Sequence, residues 1–313
     1  MDLPPNFIRT ILSLYGEAGR AWLDRLPVLV AECEAAWALT AGAPFHPLSY
    51  NYVASVVRAG GAGAVLKIGV PNPELTTEIA ALSVFDGRGC ARLLAADPVR
   101  GALLLERLRP GALLRTLPDD GEATRIAARL MRQLRRPVSP THTFPTTARW
   151  ALGFVRMRER FQGGTGPLPA ALTGRAEALF RDLLASAGEP ALLHGDLHHD
   201  NILSAGRQPW LAIDPKGVVG EPAYEAGALL RNPVGRLLKE PDPVAVTARR
   251  VDILAAELNV DRHRLLGWGL ARAVLAAWWC VEDGQDCWRV LIRHAAVIDA
   301  VIQRTDRGQS SPA

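Results

Sequence analysis

The chain has 313 residues, 49% of them hydrophobic and 22% charged, with a net charge of +4 and a pI near 9.1. That length allows one large domain or two ordinary ones, and the balance is that of a soluble globular protein. The charge is mild and no basic tract concentrates it, so nucleic acid is not an expected partner.

In chain order, apolar residues recur at helical spacing over 7–39 (Phe7, Ile8, Ile11, Leu12, then Trp22, Leu23, Leu26). Gly16, Gly19 and Pro27 are expected to split this stretch into two or three helical pieces. "SYNYVASVVRA" and "AVLKIGV" read as two strands joined by the hairpin signal "GGAG". "PNPELTTEIAALSVF" opens with prolines and Asn72 and runs on as a helix. "ARLLAAD" and "GALLLERL" give a second hairpin, and "RPGALL" a punctuated connector. The pattern then changes. Residues 119–136, 145–161 and 168–187 read as helices, short strands are expected near 201–203 and 210–213, and the chain is helical again from Pro241 onward. A small sheet-plus-helix half thus precedes a mostly helical half, with the seam near 107–111. The polar last ten residues are expected to fray.

Four cysteines (Cys33, Cys90, Cys280, Cys287) lack Cys-x-x-Cys spacing. They predict neither a disulfide framework nor a zinc site and fit a reducing cytoplasm. No basic-then-apolar leader is expected at the N-terminus, and the run "AVLAAWWCVED" is too short to span a membrane, so no membrane partner is expected.

The densest chemistry lies in "LLHGDLHHDNILSAGRQPWLAID", residues 192–214. A hairpin between Asn201 and Asp214 would set both at neighbouring strand ends, as two oxygen ligands for a hard cation such as Mg²⁺. Asp196, one loop away, could accept a proton from a hydroxyl. A metallohydrolase is the chemical rival, since His194, His198 and His199 with Asp196 and Asp200 imitate a ligand set. No distant ligand cluster accompanies them.

"HGDLHHDN" resembles the kinase catalytic loop H-R-D-L-x-x-x-N with Gly195 in place of the arginine, and Asp214 in "IDPKG" stands where kinases carry a metal-binding aspartate. The run "HGDLHHDNIL…WLAIDPKGVVGEPAYE" and the later "AAWW.VEDG" resemble the aminoglycoside/hydroxyurea resistance kinase family, within the protein-kinase-like superfamily. The resemblance implies an α+β, two-lobed fold. Residues 1–108 would form a nucleotide-binding lobe with a small antiparallel sheet, and 109–313 a mostly helical catalytic and acceptor-binding lobe. It implies ATP and Mg²⁺ as cofactors and transfer of the γ-phosphate to a hydroxyl of a small cationic acceptor, an aminoglycoside with streptomycin foremost. Asp196 would be the catalytic base, and Asn201 and Asp214 the metal ligands. Lys67 would orient phosphates, with Glu78 as its ion-pair partner and Glu74 as the rival. Glu106 and Leu108 would lie at the adenine-holding hinge. No G-x-G-x-x-G is present, and Ser49 and Asn51 stand where that loop should be.

Only Lys67, Lys216 and Lys239 are lysines among 36 basic residues. Lys216, beside Asp214, is therefore a candidate for phosphate or substrate contact, with a plain surface lysine as the alternative. Glu282 and Asp283 close a helix at "WWCVEDG", where carboxylates oppose the helix dipole. A cationic acceptor would be one reason for them, and a solvated helix end the other. His194 is expected to brace its loop, and His198 and His199 to be polar loop surface. Glu225 fits either a helix start or an acidic lining. Alternatives for function are a kinase of another small acceptor (hydroxyurea, an amino sugar, a choline- or homoserine-like metabolite) and a catalytically idle nucleotide-binding protein. A monomer is favoured.

Overall fold

Why a sheet comes first follows from the alternation in "YVASVVR" and "GAVLKI". In the computed structural model, which describes residues 1–309, these form β2 (Tyr52–Arg58) and β3 (Gly63–Ile68). They pair antiparallel, with Val53 opposite Lys67 and Ala54 opposite Leu66. β4 (Leu93–Asp97) and β5 (Ala102–Glu106) form the second expected hairpin. With β1 (Leu39–Pro44) they make an antiparallel sheet of order β1-β2-β3-β5-β4. Alternate residues of a strand face opposite sides of a sheet. Ala54, Val56, Leu66, Ile68 and Leu104 accordingly share a core with Phe7, Ile11, Trp22 and Leu26 of α1 (Pro5–Trp37). Lys67, out of phase with Leu66 and Ile68, faces the opposite way. α2 (Pro73–Phe85) follows β3, started by Asn72, whose side chain accepts from the Leu75 amide at 3.0 Å, and by Pro73 at its first position. These elements, 1–111, form one compact unit together with 205–211.

The second unit, 112–204 with 212–313, is built mainly of helices. They are α3 (Asp120–Leu134), α4 (Thr147–Arg160), α5 (Ala170–Ala185), α6 (Ala226–Leu230), α7 (Pro243–Leu258), α8 (Arg262–Glu282) and α9 (Trp288–Gln309). Asp119, Thr146, Asp242 and Asp261 each cap a helix start with a side-chain oxygen. Helix α8 is the axis of this unit, buried without interruption from Leu265 to Trp278. Short strands punctuate the helices, β7 (Ala191–Leu193), β8 (Ile202–Ala205) and β10 (Val218–Gly220), while β9 (Trp210–Ala212) starts in the 205–211 segment of the first unit. β7 pairs antiparallel with β10, Val218 lying opposite Leu193.

Several expectations need correction. α1 is interrupted only at Gly16, whose φ is +54°, and runs straight through Gly19 and Pro27. Burial of Leu26, Leu29 and Val30 on one face outweighs the roughly 3 kcal/mol that a helical proline costs. β1 was not expected, because "LTAGAP" lacks β-branched alternation; it is an edge strand, where a proline is tolerated. "RPGALL" holds a strand, β6 (Pro110–Leu113), rather than a plain connector. Residues 304–309 continue α9 instead of fraying, and 310–313 lie outside the described residues. Cys280 and Cys287 form a disulfide, so the expectation of none fails; the seven-residue spacing is bridged because α8 ends between them. Finally, α8 is long and apolar enough to cross a membrane by length and composition, although 78% of that window is buried inside the protein. The short run "AVLAAWWCVED" understated it.

Candidate active site

Glu78 lies on the second turn of α2, one side of which is apolar (Leu75, Leu82, Phe85) and buried. This seats its carboxylate on Lys67: Nζ donates to Oε1 at 2.7 Å and to Oε2 at 2.9 Å. Lys67 is 4% exposed and Glu78 7%. A buried lysine is tolerable only when so paired. Glu74, the rival partner, stands in the exposed first turn of α2. In the same unit Glu106 ends β5, its carboxylate held by Arg207 at 2.8 Å and by the Arg92 amide at 3.0 Å. Leu108 follows, partly exposed. Ser49 is exposed in the turn before β2, whereas Asn51 turns inward. A Cβ on Gly69 would lie 2.2 Å from Asn51 Oδ1, so glycine there is what admits the amide.

In the second unit the loop between β7 and β8 carries the other candidates. His194 is fully buried; Nε2 bonds the Ile213 carbonyl at 2.8 Å and Nδ1 accepts from the Asp196 amide at 3.2 Å. Burial pushes its pKa down to about 4. Both ring nitrogens are committed to backbone, so His194 braces the loop and is no metal ligand. Among the described residues no group of three or more His, Cys, Asp or Glu is gathered to hold a metal. Gly195 has φ +84°, and a Cβ there would meet Val218, Lys216 and Trp150 at 3.0–3.2 Å. The arginine that kinases carry at this place would not fit. Asn201 donates Nδ2 to the Asp196 carbonyl at 3.0 Å and accepts the Ile213 amide on its own carbonyl at 2.9 Å. That second bond ties Asn201 to the residue before Asp214, which takes φ +57° as the chain leaves β9. Lys216 is fixed by its amide, which donates to His194 O at 2.7 Å.

Asp196 keeps 22% of its side chain exposed. Arg231 Nη2 donates to Oδ1 at 2.9 Å, Arg272 Nη2 lies 3.6 Å from the same oxygen, and His198 Nε2 lies 3.6 Å from Oδ2. Burial works to raise the Asp196 pKa, but His198, Arg231 and Arg272 override it and hold the carboxyl well below the usual range. Asp196 is therefore a fixed, ionised hydrogen-bond acceptor.

Sequence reasoning missed two of these groups and left open or misjudged others. Arg231 and Arg272 carry no motif; they reach Asp196 from α6's end and from α8, 35 and 76 positions away. Glu225, left open between two roles, is 2% exposed and accepts the Gly195 amide at 3.1 Å and the Leu197 amide at 3.4 Å. Burial pushes its pKa up, against the pull of Arg272 and those amides. Its signal in the sequence was its place at the end of the run "GEPAYE". His198 and His199 are not loop surface: the His198 side chain is 15% exposed and His199 is 2% exposed. Burial, with Arg250 nearby, drives the His199 pKa down to about 3, so its ring is neutral. Glu282 is already neutralised. Arg156 donates Nε and Nη2 to its carboxylate at 2.6 and 2.9 Å, which answers the charge at the end of α8 without any acceptor. Asp283 is the C-cap of α8.

Comparison with known proteins follows the same outline. The profile described as "Aminoglycoside/hydroxyurea antibiotic resistance kinase" matches residues 37–284. A streptomycin 6-kinase of Streptomyces griseus is 36% identical over 279 residues, covering 86% of this chain and 87% of that one. A hydroxyurea phosphotransferase of Kitasatospora aureofaciens is 37% identical over 298 residues, covering 91% and 82%. Among solved structures, a thermostable mutant of the aminoglycoside phosphotransferase APH(4)-Ia, bound to ADP and hygromycin B, superposes with a TM-score of 0.63. It is 13% identical and covers 87% of this chain and 97% of that one, a likeness of fold alone.

Proposed function

The chain belongs to the aminoglycoside/hydroxyurea antibiotic resistance kinase family, and from that premise we propose that it phosphorylates a hydroxyl of streptomycin at the expense of ATP. The observation that carries the chemistry is the Asp196–Asn201–Asp214 arrangement, locked by bonds among His194, Asn201 and Ile213. Phosphoryl transfer needs little covalent help from protein and much positioning, which such a loop supplies.

Each residue has a role in this reading. Lys67, oriented by Glu78, neutralises phosphate oxygens of ATP. Glu106 and Leu108 mark the strand end at which the adenine is held, and Ser49 and Asn51 lie in the turn over the phosphates. Asp196 accepts a hydrogen bond from the acceptor hydroxyl through Oδ2, since Oδ1 is taken by Arg231. It orients that oxygen for in-line attack and takes its proton as the bond from the oxygen to the γ-phosphorus forms and the bond from that phosphorus to the bridging oxygen breaks, releasing ADP. Lys216 supplies a further cation beside Asp214. The amide oxygen of Asn201 and the carboxylate of Asp214 are a hard oxygen pair that suits Mg²⁺. Bound there, the ion would neutralise charge on the nucleotide phosphates.

ATP consumption by the purified protein, with streptomycin, hydroxyurea or choline as acceptor, tests the reading. Streptomycin-dependent turnover that Asp196→Ala abolishes while ATP still binds is the expected result. Turnover with hydroxyurea alone would replace the acceptor, and full activity of Asp196→Ala would remove the role of Asp196.

A further inference from the structure

The turn between β8 and β9 falls in the 205–211 segment of the first unit and carries Arg207. An arginine in a surface turn ordinarily stays in water. This one keeps only 24% of its side chain exposed, and its donors go in three directions. Nε donates to Glu106 Oε1 at 2.8 Å and Nη2 to Oε2 at 2.9 Å, the bidentate form of a charge-assisted pair. Nη1 donates to the Gly87 carbonyl at 2.6 Å, and Nη2 to the Cys90 carbonyl at 2.6 Å. Glu106 Oε2 also accepts the Arg92 amide at 3.0 Å, and the Glu106 amide donates back to the Arg92 carbonyl at 2.9 Å. Burial works to raise the Glu106 pKa, but Arg207 and the Arg92 amide outweigh it and hold the carboxyl below its usual range. Gly87 has φ +73°, and a Cβ there would lie 2.6 Å from Arg92 Cγ and 3.4 Å from Arg207 Nη2. Glycine at this turn supplies the conformation and leaves room for the Arg92 stem beside the guanidinium.

These partners stand at the two ends of the proposed nucleotide site. Gly87 and Cys90 lie in the connector that leaves α2, the helix whose Glu78 holds Lys67. Glu106 ends β5, two residues before Leu108, at the strand end assigned to the adenine. One guanidinium thus ties the helix behind the phosphate lysine to the strand end beside the base. A lysine could not do the same, because an ammonium is a point charge and not a planar fork.

We propose that Arg207 is a positioning residue for the nucleotide: it pins the end of α2 and the end of β5 in the arrangement that receives ATP. It acts through Glu106 and the 87–90 connector and touches no nucleotide atom itself. The inference rests on the kinase reading for the identity of the ligand. Segments ordered before the ligand arrives need not be ordered by it, so loss of Arg207 shows in nucleotide affinity and not in the chemical step.

Calorimetric titration of the full chain with ADP and Mg²⁺, beside steady-state kinetics with ATP and streptomycin, tests it. Arg207→Met keeps an unbranched stem and removes every donor. The Kd for ADP and the KM for ATP should rise about tenfold, with kcat at saturating ATP and KM for streptomycin within about twofold of wild type. Arg207→Lys keeps the charge without the fork; it should lose about threefold in ADP affinity, and it decides the matter if Arg207→Met does not fold. Arg100→Met breaks another arginine–carboxylate pair of the same unit, with Glu32 at 2.7 Å, and should leave ADP affinity unchanged. Wild-type ADP affinity in the Arg207 variants, a fall in kcat with KM for ATP unchanged, or an equal loss of affinity in Arg100→Met would each overturn the assignment. ADP binding that depends on Arg207, in a chain that phosphorylates no acceptor, would keep the assignment and remove the kinase reading. Streptomycin phosphorylation with nucleotide binding indifferent to Arg207 would do the reverse.

Discussion

Removing the Glu225 carboxylate should damage the catalytic loop more than any exposed change in it. In Glu225→Ala the Gly195 and Leu197 amides, now bonded at 3.1 and 3.4 Å, lose their acceptor in a site closed to water. Each orphaned buried amide costs about 1–3 kcal/mol. Arg272, 1% exposed, loses a neighbouring negative charge but keeps Asp196 at 3.6 Å and the face of Tyr224 at 4.8 Å. The sum is about 2–6 kcal/mol, a large part of the roughly 5–15 kcal/mol that holds a native chain together. Glu225→Gln keeps one acceptor oxygen but turns an NH₂ toward an N–H donor, so about 2 kcal/mol is expected. Gly195 and Leu197 flank Asp196, and a displacement of about 1 Å there costs on the order of 100-fold in turnover. Urea unfolding and kcat on the same preparations check this. Glu225→Gln with a wild-type urea midpoint and kcat within twofold of wild type would show that the loop does not depend on this brace.

Breaking the buried Lys67–Glu78 pair from one side should destabilise by about 3–5 kcal/mol, and Lys67→Met with Glu78→Leu should cost less than the two single changes summed. Chemical denaturation of the four proteins measures that coupling, and strict additivity would deny it. His294, fully buried, has its pKa pushed down to about 4 by burial and by Arg231, Arg250 and Arg293. A group depressed on folding contributes stability above its unfolded pKa of about 6.5 and loses it as pH falls toward 4. Unfolding free energy should therefore drop between pH 6.5 and 4, by up to about 3 kcal/mol from this group, and His294→Gln should flatten the slope. Alkylation after denaturation without reductant should label two thiols, Cys33 and Cys90, and all four only after reduction. Four labelled thiols at the first step would mean that Cys280 and Cys287 are not joined.

Local pattern decided much of this protein. The alternation in "YVASVVR" and "GAVLKI" made the β2–β3 hairpin legible, and helical periodicity with capping residues located α2 to α5 within two or three residues. The order of His, Asp, Asn and a strand-end Asp in residues 194–214 announced the family, because that loop needs those groups at fixed spacing. Interactions that close over long stretches of chain were not legible. No local signal tells Arg231 and Arg272 from the chain's many other arginines, yet folding sets both against Asp196. Whether a carboxylate is available depends likewise on what packs beside it: Glu282 is taken by Arg156, while Glu240 stands open at a cavity rim. The disulfide depends on where α8 ends, which periodicity fixes only loosely. Short-range preference is written residue by residue, whereas partnership and burial belong to the packed tertiary structure.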